Sequence, residues 1–84
     1  MFYVYVLWSK ENRDFYVGYT ADLMRRLKEH ESGHCHTTLR MANPKFIFCE
    51  GFISELDARR REKYFKTSKG KKALRLMLRE SIKG

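Results

Sequence analysis

Residues 2–8 read Phe-Tyr-Val-Tyr-Val-Leu-Trp, an aromatic and β-branched run with no breaker. Such a run is a strand by composition. Side chains alternate across a strand, so Tyr3, Tyr5 and Leu7 share one face and Phe2, Val4, Val6 and Trp8 the other. Both faces are apolar, so the strand must be central and covered on both sides. Residues 9–14 are polar and contain Asn12, which predicts a hairpin loop, and residues 15–19 predict the returning strand. This places the segment Tyr16-Val17-Gly18 beside Tyr3-Val4-Tyr5 on an antiparallel ladder, within cross-strand reach.

The chain has 84 residues, which bounds it to a single small domain over residues 1–84. Hydrophobic residues make up 43%, enough to exclude disorder. Eighteen Lys and Arg stand against 10 Asp and Glu, a formal charge of +8 that points to a polyanionic partner, nucleic acid first. Cys35 and Cys49 are too few for a disulfide framework, so free thiols and a cytoplasmic location are expected. The opening apolar run is too short for a membrane span or a signal core, so neither export nor a membrane segment is expected.

Thr20 is the expected N-cap of a first helix over residues 21–31, with Asp22 in its first turn and Gly33 at its end. Leu23 and Leu27 form its apolar stripe, and Arg26 and His30 share a face beside it. Residues 32–44 read as a loop and residues 45–50 as a third strand. Ser54 begins a capping-box-like start of a second helix that reaches about residue 66. Residues 67–70 are expected to break it, and residues 71–80 to resume as a basic helix with Ala73, Leu74, Met77 and Leu78 inward. These elements, three strands with the first two antiparallel and three helices, make the chain α/β.

Several side chains invite chemistry. Ala58, Glu62 and Phe65 share one helix face, the packed one, and a carboxylate there requires a partner or a metal. The plain alternative is an ion pair with a cation among residues 59–63. Arg26 offers a guanidinium that can hold a phosphate oxygen, and His30 an imidazole that can accept a proton or hold a phenol; a solvated helix face is the plain alternative. Tyr5 and Tyr16 are phenols whose ordinary strand role is packing with a wet tip. A zinc site from His34, Cys35, His36 and the distant Cys49 fits no standard ligand spacing.

The order and spacing of these motifs resemble the GIY-YIG nucleases, in particular their small single-domain bacterial members. Tyr3-Val4-Tyr5 stands where the first motif belongs, and Tyr16-Val17-Gly18 is a near match to the second. Residues 18–30 follow the family's motif-to-helix pattern, and residues 58–66 match its glutamate-bearing helix. Tyr3 replaces the first glycine of the family name, and the C-terminal asparagine of many members has no match here. The resemblance implies a three-stranded antiparallel sheet flanked by three helices and a metal-dependent endonuclease acting on DNA. Its cutting could be structure-selective and linked to repair or recombination, with a targeting protein as partner.

By position, the resemblance makes Tyr5 the general base or water-orienting group and Tyr16 its support and a phosphate contact. Arg26 would stabilise the transition state, His30 would assist the tyrosine, and Glu62 would hold one Mg²⁺ or Mn²⁺. Gly18 would permit close approach. Apart from the resemblance, the basic helices around Arg25 and Lys28 and around Lys69, Lys71 and Lys72 are expected to grip a nucleic-acid backbone. Two alternatives have other signatures. A non-catalytic nucleic-acid-binding module would be indifferent to metal and to loss of Glu62. An adaptor docking through exposed aromatics would show little salt-sensitive DNA affinity.

Overall fold

The computed structural model describes residues 1–32 and 40–83. Its elements run β1 (Phe2–Ser9), β2 (Asp14–Thr20), α1 (Leu23–Glu31), β3 (Lys45–Phe52), α2 (Glu55–Phe65) and α3 (Ser68–Met77). The three strands form one antiparallel sheet in the order β2-β1-β3. The strand that is apolar on both faces is thus the central one. Val4, Tyr5, Val6 and Leu7 are all at most 2% exposed, which no edge strand or one-sided sheet would give.

The two faces differ in character. On one, Val4, Val6, Trp8, Phe15 and Val17 pack against Ala58 and Phe65 of α2 and Leu74 and Leu78 of α3. This is the hydrophobic core. The other face carries Tyr5, Leu7, Tyr16 and Gly18, with α1 lying over it through His30. The hairpin between β1 and β2 closes with Arg13 in the left-handed region, at φ 53°. The Ser9 hydroxyl is placed to donate to Asn12 Oδ1 or to the Ala42 carbonyl, and Asn12 Oδ1 accepts from the Ala42 amide, so the hairpin is tied to the chain entering β3.

Three sequence expectations need correction. The N-cap of α1 is Asp22, whose carboxylate accepts from the Arg25 amide at 3.1 Å, and not Thr20. Thr20 is still in β2, paired with Tyr3, and its buried hydroxyl bonds the Asp22 amide and carbonyl. The ladder holds the chain extended for longer than the cap preference suggests. Next, residues 67–70 do not all interrupt the helices: Thr67 caps α3 by accepting from the Gly70 amide, and Gly70 lies inside the helix, buried. A Cβ on Gly70 would overlap the Tyr64 carbonyl oxygen and the Phe65 Cα, so glycine here lets two helices cross rather than ending one. Last, Met77 is 46% exposed, and the inward stripe of α3 is Leu74 and Leu78, one turn apart.

β3 runs on to Phe52 because Phe52 pairs with Phe2, and its register shifts by a bulge opposite Val6 and Leu7. Gly33 and the trio His34, Cys35 and His36 lie outside the described residues. No described helix is long and apolar enough to cross a membrane.

Candidate active site

The pairing register fixes the site. Tyr5 lies opposite Gly18, and Tyr16 lies opposite Leu7, so the two phenols stand as diagonal neighbours on the face under α1. Their ring centroids are 6.3 Å apart. Gly18 makes room for this: a Cβ there would overlap the Cζ and hydroxyl of Tyr5. From β3, Phe46 stacks beside the Tyr5 ring at 6.4 Å. The ring is held on several sides, and its hydroxyl end meets His30.

His30 reaches down from the last turn of α1. Its Nε2 sits 3.3 Å from the Tyr5 hydroxyl, and its ring lies 5.5 Å from that of Tyr5 and 6.2 Å from that of Tyr16. Burial lowers the His30 pKa below its ordinary value, and the nearby Arg26 charge adds to this, with Glu29 opposing. A neutral imidazole is therefore favoured near pH 7, and a neutral ring nitrogen can accept the phenolic proton.

Arg26 lies one turn before His30 on the same side of α1. Its Nη1 is 3.4 Å from Glu29, but among the described residues its buried Nε has no hydrogen-bond partner. An unsatisfied buried donor costs about 1–3 kcal/mol, so the position is either a defect or a donor reserved for a ligand. A cleft of about 240 Å³ opens beside His30, bordered by Leu7, Leu27, Lys45 and Phe46. A larger cavity of about 500 Å³, at Trp8, Lys10 and Ile82, touches none of the candidate catalytic residues.

Glu62 belongs to the helix layer on the other face. It follows Ala58 by one turn, its side chain is 19% exposed, and Lys66 Nζ lies 3.0 Å from its Oε2. The ion pair falls to Lys66, one turn on, and not to a cation among residues 59–63. The helical wheel fixes its direction. Arg61 leans toward β3, where it pairs with Glu50, while Arg59 lies over the Tyr19 ring of β2 at 4.1 Å. Glu62 is one turn beyond Arg59, so its carboxylate leans to the β2 edge, from which the chain passes into α1. Among the described residues its hydrogen bond goes to Lys66 and not to the phenols, Arg26 or His30.

The described residues contain no cluster of three or more His, Cys, Asp or Glu placed to hold a metal. A single carboxylate still suits Mg²⁺ or Mn²⁺, because magnesium typically takes one or two carboxylates and completes its shell with water and phosphate oxygens. Arg25 and Lys28 are on the exposed side of α1, with Arg25 Nε 3.9 Å from Glu29. Lys69, Lys71 and Lys72 are on α3, in the layer opposite the phenols. The structure thus gathers Tyr5, Tyr16, Gly18, Arg26 and His30, and it leaves Glu62, paired with Lys66 in the opposite helix layer, and the three α3 lysines apart from them. Two contributors escaped the sequence reading. Glu29 announces itself only by helical spacing from Arg25 and Arg26, and Phe46 only by a bulged register.

A sequence-family profile described as the GIY-YIG catalytic domain matches residues 1–75. The chain is 40% identical to the UPF0213 protein spr1390 of Streptococcus pneumoniae over 68 residues, covering 80% of this chain and 68% of that one. It is 34% identical to the UPF0213 protein CPE1444 of Clostridium perfringens over 84 residues, covering 99% of this chain and 89% of that one. Among solved structures, the solution NMR structure of the UPF0213 protein BH0048 from Bacillus halodurans aligns with a TM-score of 0.55 at 32% identity, over 100% of this chain and 87% of that one.

Proposed function

The chain belongs to the GIY-YIG catalytic-domain family, a nuclease family, and from that membership we propose that residues 1–84 form one metal-dependent endonuclease unit cutting phosphodiester bonds in DNA. The observation that carries this reading is the gathering on one face of the Tyr5 hydroxyl, the His30 Nε2 3.3 Å from it, and Arg26, whose Nε has no hydrogen-bond partner among the described residues. Phosphodiester hydrolysis needs a proton taken from the attacking water, charge stabilised on the non-bridging oxygens, and help for the departing alkoxide. His30 Nε2 draws on the Tyr5 proton, so that the phenol oxygen can accept one from water or orient it. Tyr16, beside that ring, hydrogen-bonds a non-bridging oxygen. Arg26 offers its free donor to the same phosphate and offsets the charge that grows there.

Glu62 would hold the Mg²⁺ or Mn²⁺, exchanging its Lys66 contact for the ion. When bound, the ion supplies charge stabilisation at the leaving oxygen. A structure-selective cut serving repair or recombination, directed by a targeting protein, is the setting we favour, since a domain this small reads phosphate more readily than bases. The free thiol of Cys49 supports a cytoplasmic location.

The Glu62–Lys66 pair favours a second reading, a basic binding module that keeps the fold without the chemistry. One experiment separates them. Purified protein is assayed with Mg²⁺ or Mn²⁺ on single-stranded, duplex and branched DNA, beside Glu62→Ala and Arg26→Ala. Nicking that needs metal and falls by roughly 100-fold or more in each variant is expected, as for loss of a transition-state stabiliser. Normal DNA binding with no cleavage under any condition leaves the binding module standing and refutes the nuclease.

A further inference from the structure

Charge is unevenly paired over this surface. On α2, Glu55, Asp57 and Glu62 neutralise Arg59, Arg60 and Lys66 within the helix. Residues 68–79 instead carry Lys69, Lys71, Lys72, Arg75 and Arg79 with no acid among them. Lys71 has a contact of 3.5 Å to Asp14, and the next acid along the chain, Glu80, pairs with Lys83. Helical spacing sets Lys71 and Arg75 in one row with Lys72 beside it, and the exposed Arg79 follows just past the end of α3.

This row is built onto the hairpin. Arg75 lies over the rings of Trp8 and Phe15, at 5.9 and 5.4 Å, and its Nη2 donates to the Arg13 carbonyl at 3.4 Å. The exposed Arg13 therefore joins the same basic surface. That surface is remote from the Tyr5 phenol, while Tyr16, which follows Phe15 in β2, has its side chain on the opposite face. Asp14 pairs with Ser9, four residues along β1 from Tyr5, which is roughly 13 Å of strand. It also lies on the other side of the sheet, since Leu74 and Leu78 of α3 pack against the face opposite Tyr5.

We propose that the outward side of α3, with Arg13 of the hairpin, is a second docking surface for nucleic acid, holding the sugar-phosphate backbone of a segment other than the strand presented to Tyr5. The choice of nucleic acid over another polyanion rests on the nuclease-family reading; the existence of the surface does not. From Lys71 to Arg79 the stretch, helical as far as Met77, spans roughly 12 Å. That matches roughly three or four phosphates of one strand along a duplex and predicts a contribution of about −3 to the slope of log affinity against log salt. A substrate gripped on both sides of a thin sheet must supply two backbone segments, from a branched molecule or from one that bends around the domain.

The test is binding without divalent metal, so cleavage plays no part. Isotope-labelled protein is titrated with a single-stranded hexanucleotide and followed by amide shifts. Two sets of shifts are expected, one in α1 and the β1–β2 phenol face and one in α3 and Arg13, saturating independently. Lys72→Glu/Arg79→Glu, both at exposed positions, should abolish the second set. It should also weaken binding to a duplex of about 24 base pairs by roughly 10- to 100-fold and make its salt slope shallower by about 2. Silence of the α3 amides, lockstep saturation of both sets at one oligonucleotide per protein, or unchanged duplex affinity in a folded variant would overturn the proposal. So would binding of α3 to phosphatidylserine vesicles but not to DNA. If the α3 shifts persist while no metal-dependent cutting is found, the nuclease reading fails and the second surface stands.

Discussion

Gly18→Ala is the most exposed consequence of the site geometry. The added methyl would occupy space filled by the Cζ and hydroxyl of Tyr5. Overlap with the tip of a mobile side chain would cost little, but this ring is 2% exposed and is flanked by Tyr16, His30 and Phe46. It cannot swing aside without displacing them. Overpacking of a filled core costs about 1–3 kcal/mol, and losing the hydroxyl contact to His30 adds about 0.5–1.5. Alanine recovers less than about 1 kcal/mol over glycine in a strand. The net loss is about 1–4 kcal/mol, against a total of about 5–13 for a domain of this size. Each kcal/mol shifts Tm by about 4–8 °C in a domain this small, so a fall of roughly 4–32 °C is expected in thermal unfolding followed by circular dichroism. Tyr5→Ala removes the obstacle, so the double variant should show a coupling of at least about 1 kcal/mol. A Gly18→Ala protein melting within about 2 °C of the parent, or a penalty undiminished in the Tyr5→Ala background, would refute the argument that glycine is required to seat the phenol.

Two further outcomes follow from the structure. Gly70→Ala should destabilise by more than about 2 kcal/mol in urea unfolding despite a helix-propensity gain of about 1, because the new methyl meets backbone of Tyr64 and Phe65 that cannot yield. The lowered pKa of His30 means that the unfolded chain takes up a proton at higher pH than the folded one. The stability it contributes is present above about pH 6.5 and is lost as pH falls through the folded-state pKa; His30→Gln should flatten that part of the stability–pH profile measured by denaturant unfolding.

The sheet was legible because β1 is apolar on both faces, and only a central strand satisfies that pattern. The facing of Tyr5 and Tyr16 then follows from alternation and a short hairpin. Arg26 and His30 could be placed together from their helical spacing alone. Where α1 begins was not legible, because the ladder pairing of Thr20 with Tyr3 overrides a local capping preference. Gly70 misled for a similar reason: a glycine among lysines reads as a breaker, while its cause is a tertiary crossing of two helices. The identity of Glu62's partner needed side-chain geometry, since cations on both sides lie within helical reach. Nothing in the linear order separates the α1 basic residues from those of α3, yet the sheet stands between them.

The unpaired Nε of Arg26 ties stability to function. A fold selected for stability alone has little reason to shelter a cationic donor without an acceptor, since deleting that donor would relieve about 1–3 kcal/mol. Glu29 is within reach of the guanidinium, but its carboxylate meets Nη1 and is shared with Arg25. The neighbouring imidazole is favoured neutral in part by this same charge, and the phenol beside it is held by packing. All three features are costs or constraints in the free protein. A phosphate oxygen entering beside His30 would bear on them together, by accepting from Nε and balancing the guanidinium beside the His30–Tyr5 contact. Under the nuclease reading, donors held in this way would stabilise charge as it develops, because they are in place beforehand.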